Sequence, residues 1–186
     1  MLRPKFEYDL MLEDLKFIKE VFKLFGLRWC LFFGTLLGAV REGDFIMNDL
    51  LRKKTEDIDV IILQPTPKDI SFKLIECFTA NGYQIYKPKE LPMKLMMGTR
   101  RIDIWAMGSL EKRNTPDYYY VKHFPFHKRF FESLKTAKIR DIECPIPNFA
   151  EELLENIYGS TWRIPQGIIL SNKSLLRLEE KQRQGL

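Results

Sequence analysis

The sequence predicts an α+β (mixed α/β) fold, with one central mixed sheet flanked by helices and further helices at the C-terminus. Three observations carry that expectation. Residues 6–25 place Leu15, Ile18, Phe22 and Phe25 at helical spacing with charges between them. Short apolar runs rich in β-branched residues recur at 57–63 and 101–107. Glycine, proline and Asn81-Gly82 punctuate the chain between helical and strand patterns, as alternation around one sheet requires.

The elements follow in order. The helix over 6–25 stops at Gly26. Leu27 to Phe33 reads as a short buried strand. Thr35 to Arg41 reads as a short helix, so Gly34-Thr35 falls between strand and helix. Residues 42–56 are polar and loop-like. Asp57 to Leu63 is a strand whose second half is strongly apolar. Thr66 is the expected N-cap of the next helix, with Pro67 at its first position and Asn81-Gly82 ending it. Tyr83–Tyr86, Lys94–Met97 and Arg101–Met107 read as further strands. Asn148 is the expected cap of a helix that ends at Gly159. A last helix is expected at about 172–183. The aromatic and basic stretch 117–131 has no clear period.

Composition bounds the partners. A chain of 186 residues favours one domain, 1–186, with a core over about 27–110 and a helical, aromatic part over about 111–186. Hydrophobic residues at 45 % build a real core, which argues against disorder. The longest apolar run, Trp29 to Val40, is too short to span a bilayer, and lying inside the chain it is no signal peptide. Cys30, Cys77 and Cys144 have neither disulfide nor metal-site spacing, so a reduced, cytoplasmic protein is expected, with any membrane contact peripheral. The net charge of +5 suits an anionic substrate or membrane surface and is too mild and scattered for nucleic acid.

The chemistry concentrates in two strands. In "TEDIDVIIL", Asp57 and Asp59 share a face, about 6.5 Å apart along the strand. Two like charges on one face are tolerated in water or beside a cation, and hard oxygen donors suit Mg²⁺ or Mn²⁺. Taken alone, the pair also fits two solvated acids at a strand end. In "RRIDIWAM", Asp103 lies between Ile102 and Ile104, where a carboxylate needs a metal or an ion pair with Arg100, Arg101 or another base. Side by side, the three acids form a cluster able to hold metal and direct in-line attack on phosphorus.

"CLFFGTLLGAVREGDFI" breaks its apolar run at Gly34-Thr35. A glycine there lets a ligand approach the backbone, and a threonine at a helix start offers hydroxyl and N–H groups to a phosphate. An ordinary turn fits equally well. Arg41, about two helical turns on, is a candidate for substrate phosphate or for buttressing the acids.

"FGTLLGAVREGDFI", "DIDV" and "YGSTWRIP" in this order resemble the LicD/fukutin family of the nucleotidyltransferase fold. The resemblance runs from about Trp29 to Pro165. It implies a nucleotidyltransferase-like fold and transfer of a phospho-alcohol, such as phosphocholine or ribitol phosphate, from a CDP-linked donor to a sugar or glycan hydroxyl. It implies that Gly34 and Thr35 contact donor phosphate and that Asp57 and Asp59 ligate Mg²⁺ (or Mn²⁺). Asp103 becomes the third ligand or the group that deprotonates the acceptor, and Arg41 matches the arginine that follows the family's short helix. The sequence departs from the family where "MNDLLRKKTE" precedes Asp57, since Thr55-Glu56 replace the usual aspartates and Arg52, Lys53 and Lys54 lengthen the loop.

Three functions share these residues: the phosphotransferase, a nucleotidyltransferase moving NMP from an NTP, and a non-catalytic binding module. A glycosyltransferase with a D-x-D pair fits Gly34-Thr35 less well. Asp117 to Phe131 reads either as an acceptor platform or as a core cover with a basic edge. His123 and His127 flank Pro125, which opposes a helical zinc site. Tyr158 and Trp162 read as structural.

Overall fold

The computed structural model describes residues 5–46, 57–86, 93–109, 117–121 and 124–165. The expected helix 172–183 and the basic loop around Arg52 lie outside them. The mixed α+β expectation holds: helices surround a five-stranded mixed sheet.

Helix α1 (Lys5–Leu24) buries Met11, Leu15, Ile18 and Phe22 along one stripe, and Gly26, with φ +62°, ends it as expected. Strand β1 (Trp29–Leu31) is shorter than expected. Phe32 is extended and already caps helix α2 (Phe33–Arg41). Gly34 and Thr35 therefore belong to the first turn of α2 rather than preceding it. Strand β2 (Asp57–Ile62) leads into helix α3 (Lys68–Ala80). The cap of α3 is Pro67, not Thr66, whose hydroxyl donates to the Gln64 carbonyl at 3.4 Å. That local turn bond competes with capping.

Strands β3 (Gln84–Tyr86), β4 (Met93–Met97) and β5 (Arg100–Ala106) complete the sheet in the order β1-β2-β5-β4-β3. Among the described strands only β2 and β5 run parallel, and they place Asp59 opposite Asp103. Alternation sorts β5 into two faces. Arg100 faces α1, where Asp14 accepts from its Nε at 2.5 Å and from the Tyr83 hydroxyl at 2.7 Å. Ile102 and Ile104 share that face and are buried. Arg101, Asp103 and Trp105 point to the other.

Asp14 is buried and holds α1 to the sheet, so Asp14→Ala leaves two donors without their acceptor. The expected cost is about 2 kcal/mol, within the range for losing bonds to a charged group. Urea unfolding measures it, with Asp14→Asn expected to fall in between.

The stretch left without a period forms a second sheet. Strands β6 (Gly108–Ser109), β7 (Tyr118–Val121) and β8 (Phe124–His127) pair antiparallel, followed by the short helix α4 (Arg129–Glu132). Phe126 and Phe131 reach Phe32, with ring centroids at 5.3 and 6.3 Å, so much of this stretch covers the core at the start of α2. His123 lies outside the described residues. The hairpin of β9 (Leu134–Ile139) and β10 (Ile142–Pro147) follows. Helix α5 (Ala150–Tyr158) ends at Gly159 as expected, but Phe149 caps it in place of Asn148. The Asn148 N–H is engaged by the Phe130 carbonyl at 3.2 Å. Among the described residues, no helix is long and apolar enough to cross a membrane.

Candidate active site

Three acids meet at one edge of the β2–β5 seam. Asp57 and Asp59 lie on one face of β2, and Asp103 lies directly across from Asp59, about 4.8 Å away as parallel neighbours. The first turn of α2 closes on the same point. The Phe32 N–H donates to the Asp59 carbonyl at 3.0 Å. The Thr35 hydroxyl accepts from the Asp59 N–H at 2.8 Å and donates to the Asp57 carbonyl at 3.2 Å. Thr35 is buried, and this bridge staples helix to strand. Its hydroxyl is thus engaged with β2, while the first N–H groups of α2 have no acceptor within the helix itself. Gly34 supplies the clearance: a Cβ there would lie 3.6 Å from Asp59 Oδ2.

Phe33, between cap and glycine, has φ +39°, an uncommon backbone state for a bulky residue. Its ring meets Trp105 edge-on at 5.3 Å, and Trp105 Nε1 donates to Asp59 Oδ1 at 2.9 Å. Phe33 and Trp105 therefore wall one side of the Asp59 carboxylate.

The sequence left Asp103 open between metal and ion pair. The structure shows the pair. Arg101 donates from Nε to Asp103 Oδ1 at 3.0 Å and from Nη2 to Oδ2 at 2.7 Å. The same Nη2 lies 2.7 Å from Asp57 Oδ2. Lys94 adds a contact to Asp103 at 3.7 Å. Arg101 was legible as a partner, but neither Lys94 nor Trp105 was placed at the site. The i, i+2 rule that joined Asp57 to Asp59 also joins Arg101, Asp103 and Trp105.

Arg41 sits at the far end of α2, about 9 Å along the axis from Thr35. Its described contacts are with Glu42, at 3.0 Å from Nε and 2.5 Å from Nη2, and with the Trp162 carbonyl at 3.4 Å. These tie α2 to the segment after α5, away from the acids.

Desolvation pushes the Asp59 carboxyl up to about 7, and the charges of Asp103 and Asp57 push it the same way. The Trp105 hydrogen bond and Arg101 oppose the rise. Between the ordinary carboxylate range and about pH 7, the folded chain holds a proton that the unfolded chain has released. The metal-free protein is therefore expected to lose stability as pH rises through that window. Melting temperatures across it measure the slope, and Asp59→Asn should flatten it.

The donor set fits a hard divalent cation in chemistry: three carboxylates on neighbouring strands, two of which add their charge to the rise that burial imposes on the third. Among the described residues, no three such groups close around a single point. Asp57 and Asp103 turn to Arg101 instead.

No curated protein matches the chain. The family model described as "LicD/FKTN/FKRP, nucleotidyltransferase domain" matches residues 26–149, which takes in α2, all three acids and the central sheet. The chain belongs to the LicD/FKTN/FKRP nucleotidyltransferase-domain family.

Proposed function

We propose that the protein is a Mg²⁺- or Mn²⁺-dependent phosphotransferase that moves a phospho-alcohol from a CDP-linked donor to a sugar hydroxyl of a glycan or glycan precursor. Family membership supports a transferase. The observation that carries the reading further is the placing of Asp57, Asp59 and Asp103 on one face of the β2–β5 pair, with the first turn of α2 stapled to β2 beside Asp59.

Asp57, Asp59 and Asp103 would hold the metal. When bound, the cation offsets the charge of the donor phosphates and polarises the phosphorus. The first N–H groups of α2 receive a phosphate oxygen, and Gly34 keeps the approach clear. Thr35 holds that turn against β2, so the donor seat and the acids keep a fixed spacing. Phe33 and Trp105 limit water on the Asp59 side. Asp103 is assigned the proton of the acceptor hydroxyl. As that proton passes to the carboxylate, the acceptor oxygen bonds to phosphorus and the bond to CMP breaks. Arg41 is assigned no contact with the reacting phosphate and acts through α2.

The described nucleotidyltransferase domain favours a second reading, in which an NTP gives up NMP and releases pyrophosphate. Gly34→Ala bears on both. The added methyl has van der Waals room beside Asp59, so the fold is expected to persist while the donor KM rises about tenfold, the scale of one lost interaction. An unchanged KM removes the donor from α2. Chromatography of the released product separates CMP from pyrophosphate.

A further inference from the structure

The Arg101 guanidinium holds oxygen atoms that a metal at this cluster needs. Its Nη2 touches Asp57 Oδ2 and Asp103 Oδ2 at 2.7 Å each, and its Nε takes the remaining Asp103 oxygen at 3.0 Å. A carboxylate oxygen facing an N–H donor at that distance does not turn the same lone pair to a small divalent cation. Arg101 is the residue opposite Asp57 in the β2–β5 register and precedes Asp103 by two on the same face, so the backbone presents it to both acids at once. The chain itself thus supplies a cation to two of the three acids.

We infer that Arg101 is an exchangeable internal counter-ion, which occupies Asp57 and Asp103 in the metal-free protein and is displaced when a divalent cation binds. This rests on the reading of the three acids as a metal centre. Three features make the exchange feasible. The Arg101 side chain is 33 % exposed, so it has solvent to move into. Its neighbour on the far side of β5 is Met96, which offers no competing charge. Lys94 lies 3.7 Å from Asp103, so that acid has a second cation at hand when Arg101 leaves. A guanidinium fork makes a stronger competitor here than an ammonium would, because it grips both Asp103 oxygens together. Arg101 thereby sets the metal concentration at which the cluster fills, and it holds β2 and β5 together below that concentration.

The test is Mn²⁺ binding to the full chain, read from the EPR signal of the free ion, for wild type, Arg101→Lys, Arg101→Gln and Asp57→Ala, with circular dichroism reporting the fold. Removing the competitor is expected to tighten Mn²⁺ binding about tenfold in Arg101→Gln, a typical coupling between two linked sites. Arg101→Lys should fall between it and wild type, and Asp57→Ala should bind far more weakly. Metal-free Arg101→Gln should melt below wild type, and saturating Mn²⁺ should erase the gap. A purely structural ion pair predicts the lower melting temperature without the tighter binding. Equal or weaker binding by a folded Arg101→Gln overturns the exchange and leaves the metal centre standing. Binding by neither wild type nor Arg101→Gln overturns the metal centre itself, and the exchange with it.

Discussion

Asp57→Ala is expected to lower turnover by at least about a thousandfold while the chain stays folded. The activity loss follows from the proposed metal centre: Asp57 is one of the three carboxylates assigned to hold a cation that would supply several kcal/mol of charge stabilisation at the reacting phosphorus. The fold is spared for a specific reason. The Asp57 carboxylate is partly exposed and binds Arg101, which keeps both contacts to Asp103. Its removal also takes away one of the charges that raise the Asp59 carboxyl. Loss of a contact and relief of repulsion thus oppose each other. Steady-state turnover beside a thermal melt decides it. Full activity would remove Asp57 from the site, and a large drop in melting temperature would make its role structural.

Gly38→Ala is expected to have the largest effect on stability. A Cβ at Gly38 would lie 2.5 Å from the Asp44 carbonyl oxygen, 3.0 Å from the Ile46 nitrogen and 3.2 Å from the Phe45 carbonyl carbon. All three are backbone atoms, so no side chain can rotate away. The turn after α2 must shift, and it carries Phe45 and Ile46, both buried in the core. Arg140 ties that turn down as well, through its N–H to the Gly43 carbonyl at 2.7 Å and its Nε to Asp44 at 2.8 Å. Overpacking against an anchored backbone costs about 3 kcal/mol, the upper part of the usual range. For a chain of this size that lowers the melting temperature by about 6–12 °C. Unchanged melting would show that the turn yields freely. Because α2 also carries Gly34 and Thr35, a folded Gly38→Ala protein should lose donor affinity too.

Much of the site was legible because period alone carries it. The i, i+2 spacing of Asp57 and Asp59 and the apolar neighbours of Asp103 put three acids on one sheet before any coordinates. What the spacing could not convey was the register that sets Asp59 opposite Asp103, since pairing between distant strands leaves no local trace. The start of α2 was misplaced by two residues because Phe33 enters the helix from a positive φ, which no propensity predicts for phenylalanine. The β9–β10 hairpin was missed for a related reason. Its turn has Arg140 at φ +53° where glycine or asparagine would have signalled it, and ion pairs to Asp44 and Asp9 hold that conformation. Thr66 and Asn148 have the right chemistry for caps, yet the Thr66 hydroxyl turns back to the Gln64 carbonyl and the backbone N–H of Asn148 is tied to the Phe130 carbonyl, so each helix starts one residue later than expected. Arg41 fits the family pattern, and only tertiary structure reveals that it reaches Trp162 instead of the acids.

The central claim is phospho-alcohol transfer from a CDP-linked donor, and ³¹P NMR tests it most directly. Wild type and Asp57→Ala would each be offered CDP-choline, CDP-ribitol, CDP-glycerol and the four NTPs with Mg²⁺ and a panel of sugars. The account predicts that wild type converts the diphosphate resonances of one CDP donor into CMP and a new phosphodiester, and that Asp57→Ala leaves them unchanged. Pyrophosphate released from an NTP, with every CDP donor intact, would contradict it.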